Sequence, residues 1–510
     1  MFRRTVLAGT ASLLAPGAAS AQSASGDKVA GALPRLEEFA RQAVDKKLVP
    51  GLAIAIVHRD AIVLLEGFGV RQAGRPEPVT VDTVFQLASV SKPLASTVVA
   101  ALVSDGKVAW DSRIRDIDPG FVLQDELASA AVTVRDLFAH RSGLPGNIGN
   151  DIEALGFTQG EILQRLRLAK PAYPFRGGYA YSNFGLTEGA VAAARFSGGS
   201  WEEAAEDRLY RPLGMNSSSS RYRDFMARAD RASLHVPVDR TWASFTRRNA
   251  DAQSPAGGAS SSARDLAQWL RLLLANGQHD GRQVIAREAL EQAFLPAVVR
   301  SVDPTTGTPS FYGLGWNVDY REHGVEWSHA GAFSAGARTF VRLVPGEQLG
   351  IVVLSNAFPT GVPEAIAATF LDLVFAGRQT RDWVAYWNEL FESGAKASMK
   401  GTFAYASPPA PAAPALPVSA YVGDYHNDYV GGAKIVDSGG SLFLLLGPAG
   451  KRFPLAHFNR DLFVYLPFVE APALRVGVTF TIGPDGRASE VTIEDLNEEG
   501  LGRLARVGAT

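Results

Sequence analysis

Cysteine is absent from all 510 residues of this chain, which excludes disulfides, a thiol nucleophile and a lipid-modified cysteine. An excess of charge of one sign is absent too. The 50 Lys and Arg nearly balance 52 Asp and Glu, for a net charge of −2, so nothing electrostatic calls for nucleic acid or an acidic membrane surface as partner. Histidine is scarce, with eight residues, none at metal-ligand spacing and no H-E-x-x-H; neither a metal nor a cofactor is expected. No G-x-S-x-G is present, and Ser334 in Gly-Ala-Phe-Ser334-Ala-Gly has the wrong upstream spacing, which excludes a nucleophile elbow of the α/β-hydrolase kind. What remains is 46% hydrophobic and 20% charged residues, the composition of a soluble globular protein with a sizeable core, long enough for more than one domain.

The N-terminus has the pattern of an export signal. Arg3-Arg4 precedes the apolar run Thr5 to Ala15, and Ala19-Ser20-Ala21 offers a small-x-small cleavage site before Gln22. That run is too short to span a bilayer comfortably. Residues 1–21 are thus expected to be removed, leaving a periplasmic or secreted protein with no stable membrane insertion. The paired arginines suit a twin-arginine route and an ordinary signal peptide alike.

Beyond the signal, Leu33 to Asp45 has helical apolar spacing, and Gly51 to Val70 reads as two strands joined at His58-Arg59-Asp60. Residues 89–105, 134–140, 159–169, 263–275 and 285–294 have helical character. From 311 the runs FYGLGWNVDY, VEWSHAGAF, ARTFVRLVP and LGIVVLSN follow too closely for helical crossovers, so they predict an antiparallel sheet. Helices are expected again over 362–376 and 381–393. The fold class is therefore α+β, residues 22–396 forming one domain in which an antiparallel sheet, flanked by helices, meets a helical lobe. The Pro/Ala-rich stretch 397–417 reads as a linker. Residues 418–510, with the strand-like SLFLLLG, DLFVYLP, LRVGVTFTI and SEVTIEDL, predict a small all-β barrel.

Three short segments could carry chemistry. Ser89-Val-Ser-Lys92 opens a helix, so Ser89 and Lys92 share a face. A serine there has backbone N–H groups and a positive dipole end around it, both suited to an oxyanion. A desolvated lysine beside it can have its pKa lowered enough to take the serine proton. Alone, S-x-x-K is more often a helix cap and a surface lysine. Tyr181-Ser182-Asn183 adds a phenol able to relay a proton and an amide able to bind both the lysine and a substrate amide; alone it would be a structural turn. His329-Ala330-Gly331-Ala332 places a small residue and a glycine on a strand, where a substrate backbone can approach, and the Ala332 N–H could join that of Ser89 as an oxyanion donor. A lone histidine there would usually be a packing residue.

Taken together and in order, Ser89-x-x-Lys92, Tyr181-x-Asn183 and His329-Ala330-Gly331 resemble the serine β-lactamase and penicillin-binding protein superfamily, in its class C-like branch, from about 35 to 380. VTVRDLFAHRSGLP (132–145), PAGGASSSARDLAQWL (255–270) and YGLGW (312–316) resemble the same family. The resemblance implies a β-lactamase/transpeptidase-like fold and an acyl-enzyme on Ser89, with Lys92 and Tyr181 sharing the base and acid roles in an order left open. Asn183, His329, Gly331 and Ala332 would bind substrate or the oxyanion. His-Ala-Gly replaces the Lys-Thr-Gly common in β-lactamases, removing a permanent charge from the carboxylate side of the site. This looks closer to the D-aminopeptidases and D,D-carboxypeptidases of the family, some of which carry lipocalin-like barrels that can shape the site entrance or mediate oligomerisation. The expected partner is a small molecule or short peptide as substrate, with a homo-oligomer as a candidate assembly. The leading expectation is a peptidase or amidase, with a carboxylesterase of the same fold second and a weak β-lactamase third. A penicillin-binding sensor or scaffold is the non-enzymatic alternative.

Overall fold

Strand β1 (Gly51–His58) is buried along its whole length, because it is paired on both edges and covered on both faces. A two-residue turn leads to β2 (Ala61–Gly69). Arg59 and Asp60 both take positive φ there (49° and 66°), as a hairpin turn matched to strand twist requires. This computed structural model describes residues 23–244, 247–304, 306–398, 405–467 and 475–508; the expected signal segment 1–21 and linker residues 399–404 lie outside them.

Six further strands complete the sheet: β3 (Val298–Val302), β4 (Pro309–Tyr312), β5 (Asn317–Arg321), β6 (Gly324–Phe333), β7 (Ala337–Val344) and β8 (Leu349–Ser355), in the order β2-β1-β8-β7-β6-β5-β4-β3. All its pairings are antiparallel. The four runs expected after 311 are all strands of this sheet, but FYGLGWNVDY splits. It turns at Gly313–Trp316, where Gly315 (φ +85°) lies against the Lys92 carbonyl, 2.9 Å from where a Cβ would sit. Trp316 is buried there between Trp269 and Phe294.

The helices include α1 (Gly26–Asp45), α2 (Ser91–Ser104), α3 (Asn150–Leu155), α4 (Asn183–Arg195), α5 (Ala263–Leu274), α6 (Val362–Phe375) and α7 (Trp383–Ser398), with further short helices between, Val134–Phe138, Gln159–Arg165 and Arg287–Glu291 among them. Helix α1 starts earlier than the expected Leu33. Ser25 caps it by accepting from the Lys28 N–H, and Val29 and Ala32 extend its buried stripe. The period-two alternation of the strands divides the core. Leu52, Ile54, Ile56, Ile351 and Val353 face α1 and α6, while Ala53, Ala55, Val57, Val352 and Leu354 face the helical lobe. The small Ala53 and Ala55 let α5 lie close against β1.

The C-terminal strands are β9 (Gly423–Asn427), β10 (Gly431–Ser438), β11 (Ser441–Leu446), β12 (Lys451–Pro454), β13 (Ala456–Asn459), β14 (Leu462–Tyr465), β15 (Val476–Ile482), β16 (Ala488–Ile493) and β17 (Arg503–Arg506). They form a nearly closed nine-stranded barrel in the order β12-β11-β10-β9-β17-β16-β15-β14-β13. Ile435, Leu444, Val478, Val491 and Leu504 fill it. Its apolar interior is continuous with that of the helical lobe. The end of the Pro/Ala-rich stretch runs along the barrel: Ala413 donates to Asn459 Oδ1 at 2.8 Å, and Leu416 to the Tyr421 hydroxyl at 2.9 Å.

Candidate active site

The chain reverses sharply after the short strand Phe85–Gln86, which pairs with Ser260–Ser261. Ala88 makes the reversal at φ +48°, a left-handed conformation that a small side chain tolerates at some cost. A 3₁₀ turn over Ala88–Val90 then runs directly into α2, which sets Ser89 at the helical N-terminus and Lys92 one turn later. Ser91 ties this start down, its Oγ accepting from the Ala259 N–H at 3.0 Å.

Lys92 is fully buried. Its Nζ lies 3.2 Å from Ser89 Oγ, 2.6 Å from Asn183 Oδ1 and 2.9 Å from the Ala256 carbonyl oxygen. Desolvation pushes its pKa well below the ordinary lysine value, with no carboxylate among the described residues hydrogen-bonded to it to stabilise the ammonium. In its neutral form the amine has two N–H donors, which Asn183 Oδ1 and Ala256 O can accept, leaving its lone pair to face Ser89 Oγ. The Tyr181 ring covers the amine, 4.5 Å from Nζ to the ring centroid, and its hydroxyl is hydrogen-bonded to that of Ser89. Burial raises the Tyr181 pKa far above that of a free phenol, so this group keeps its proton.

The third element arrives from the sheet. A Cβ on Gly331 would lie 2.1 Å from Leu87 O, so only glycine lets β6 reach the turn that carries Ser89. Thr339, paired with Gly331 across the ladder, donates to the same Leu87 carbonyl at 2.7 Å. On the other side β5 pairs with β6 only as far as Ser328, leaving 329–333 with an edge turned toward Ser89. Ser89, Asn183 and Ala332 together line a cavity of about 1590 Å³.

His329 sits behind that wall. Its Nδ1–H donates to Ala330 O at 2.7 Å, and Nε2 accepts from the Tyr312 hydroxyl at 3.0 Å. Burial above all lowers its pKa to about 3, so it is a neutral hydrogen-bonding group. The structure thus joins Ser89, Lys92, Tyr181 and Asn183 in one cluster, puts Ala332 on the cavity wall, and holds His329 and Gly331 just behind.

Sequence reasoning passed over three groups here. His140 brackets Tyr181: its carbonyl accepts from the Ala180 N–H at 2.9 Å and its Nδ1 from the Ser182 N–H at 3.1 Å, with the two rings 4.5 Å apart. Tyr312 fixes His329, and Ala256 contributes only a carbonyl. His140 and Tyr312 stand in the segments AHRSGLP and YGLGW, but no spacing rule links them to Ser89. The far wall of the cavity belongs to the barrel, through Tyr429, Lys451, Phe453, Tyr465 and Asp495. Among the described residues, no group of three His, Asp or Glu is placed to hold a metal ion, and no helix is long and apolar enough to cross a membrane.

A family model described as beta-lactamase matches residues 36–375. The chain belongs to the beta-lactamase family. Family members are serine hydrolases, and the cluster around Ser89 lies within the matched segment. A second model, a domain of unknown function (DUF3471), matches 407–502, which holds eight of the nine barrel strands. Among similar proteins, unguisins hydrolase ungD' of Aspergillus campestris is 27% identical over 496 residues, covering 89% of this chain and 88% of the relative. Penicillin-binding protein 4 of Amycolatopsis lactamdurans is 28% identical over 317 residues, 60% of this chain and 81% of the relative. Esterase EstB of Burkholderia gladioli is 32% identical over 200 residues, 36% and 50% of the two chains. The solved structure of an octameric penicillin-binding protein homologue from Pyrococcus abyssi has the same fold. Its TM-score is 0.57 at 19% identity, covering 93% of this beta-lactamase-family chain and all of the other.

Proposed function

We propose that this family member hydrolyses amide bonds of small peptides, D-amino-acid-containing ones among them, through an acyl-enzyme on Ser89. The observation that carries it is the buried Lys92, its Nζ held by two acceptors and 3.2 Å from Ser89 Oγ. As Oγ bonds to the substrate carbonyl carbon, Lys92 takes the hydroxyl proton, and the carbonyl oxygen becomes an oxyanion between the N–H groups of Ser89 and Ala332. Tyr181 then passes its proton to the leaving nitrogen as the C–N bond breaks, and recovers one from the Lys92 ammonium. Water repeats the sequence on the ester. His329, with both ring nitrogens engaged within the protein, puts no fixed charge beside the substrate. The size of the cavity suits a peptide better than a single amino acid, and the near full-length similarity to a hydrolase of unguisins supports hydrolysis as the coarse activity. Export through residues 1–21 to the periplasm or medium, and self-association, belong to the same proposal.

A carboxylesterase is the second reading, favoured by the similarity to EstB. Turnover of D-alanine p-nitroanilide and of a short-chain aryl ester, by wild type and Ser89→Ala, separates the two. The ester has a good leaving group and tests only an activated serine, whereas the amide needs the proton donor. Ser89-dependent amide hydrolysis is expected. Ester hydrolysis with no hydrolysis of D- or L-alanine anilides would favour the esterase, and binding without turnover of either would leave the sensor or scaffold.

A further inference from the structure

Tyr429 belongs to the barrel, between β9 and β10, yet its side chain leaves it. It is 2% exposed, its hydroxyl accepting from the Gly149 N–H at 2.9 Å and donating to Asp151 Oδ1 at 2.6 Å. Those two partners flank Asn150, the first residue of α3. The barrel holds the same segment elsewhere too: Lys451 Nζ donates to Ala154 O at 2.8 Å, and Asn147 Nδ2 to Glu498 Oε2 at 3.3 Å. Gly149 enters the helix at φ +90°, where a Cβ would lie 2.6 Å from the ring of Phe184, the neighbour of Asn183.

Asn150 Oδ1 accepts from Asn183 Nδ2 at 3.2 Å. That bond decides which end of the Asn183 amide faces inward: with its nitrogen pointed at Asn150, its oxygen meets Lys92 at 2.6 Å. The opposite orientation would set acceptor against acceptor at Asn150 and donor against donor at Lys92.

We infer that the C-terminal barrel positions the catalytic lysine: Tyr429 brackets Asn150, Asn150 orients the Asn183 amide, and Asn183 aims the Lys92 amine at Ser89. The link rests on the acyl-enzyme reading above. Tyr429 and Asn150 are positioning residues, and the barrel contributes to the rate as well as to the cavity wall.

The test is the rate at which a fluorophosphonate labels the full-length protein across pH, in wild type, Ser89→Ala, Tyr429→Phe, Asn150→Ala and the double variant, each checked for folding by thermal melt. Tyr429→Phe removes one oxygen and should slow labelling roughly 10- to 100-fold, the scale of a small misplacement at a reacting group. The acidic limb of its profile should also move to lower pH, because the Lys92 ammonium loses an acceptor. Asn150→Ala should behave likewise, and the double variant should be no slower than the slower single one, since both act along one path. A wild-type rate and limb in Tyr429→Phe, or additive losses, would overturn the inference. So would a loss that only tracks the folded fraction with the limb unmoved. Labelling of Ser89→Ala at the wild-type rate, or none in wild type, overturns the acyl-enzyme reading and this link with it.

Discussion

The buried tyrosines of the barrel and of the helical lobe make different use of the same side chain. In the barrel, Tyr425 donates to the Tyr421 carbonyl at 2.7 Å and accepts from Arg506, while Tyr421 donates to Asp461 and Tyr465 to Asp495. Each hydroxyl is satisfied by a backbone oxygen or a carboxylate, as a buried polar group must be, and nothing there passes a proton. In the lobe, the Tyr181 hydroxyl meets a serine that itself meets a buried lysine. Burial raises the pKa of both kinds, so a raised pKa by itself marks no site. What sets Tyr181 apart is the convergence of a serine hydroxyl, a buried amine and an open strand edge on one point. Tyr429 is the exception within the barrel, its partners lying in the other domain.

The most severe way to test this contrast is to remove the amine. Lys92→Ala should slow acylation about 10³-fold or more with the melting curve intact, and wild-type turnover would remove Lys92 from the mechanism. Tyr181→Phe should follow, with a loss near 10²-fold on amides and a smaller one on aryl esters, because only the amide needs its leaving group protonated. Equal losses on both would point to a positioning role for the phenol.

A third prediction takes a buried acid in the lobe but outside the site. Glu188 is 1% exposed on α4, and burial, with Asp118 adding to it, raises its pKa to about 8 from an ordinary 4.5. A carboxyl whose folded pKa is raised contributes stability that is full below 4.5 and is lost as pH rises through 8. Glu188→Gln should therefore melt higher than wild type at pH 9, with the gap closing toward pH 5. A gap independent of pH would show that Glu188 is already ionised across this range.

The smallest effect is expected in the barrel. Tyr425→Phe should cost about 1 kcal/mol of stability, the net value of a hydrogen bond, and leave the pH profile of acylation where it was. A shifted profile would erase the distinction between the two sets of tyrosines.

Ser89, Lys92, Tyr181 and Asn183 were legible because each lies in a short segment whose local geometry already suggests its use: i, i+3 on a helix start, and a phenol and an amide one residue apart. The strands after 311 were legible from their alternation and close spacing. Ala256 was not, since it acts through a carbonyl that carries no side-chain signature. His140, Tyr312, Asn150 and Tyr429 reach the site only through tertiary packing, over separations no periodicity spans. The barrel strands Gly423–Asn427, Lys451–Pro454 and Arg503–Arg506 are short and polar, so pairing in the barrel, with little help from pattern, makes them strands.

The central claim is that a neutral Lys92 activates Ser89. It is tested most directly by following acylation of Ser89 across pH in wild type and in Lys92→Arg, whose guanidinium stays charged and cannot accept the proton. The account predicts a wild-type acidic limb far below the ordinary lysine range and an arginine variant that is inert at every pH. An arginine variant that acylates at the wild-type rate would contradict it.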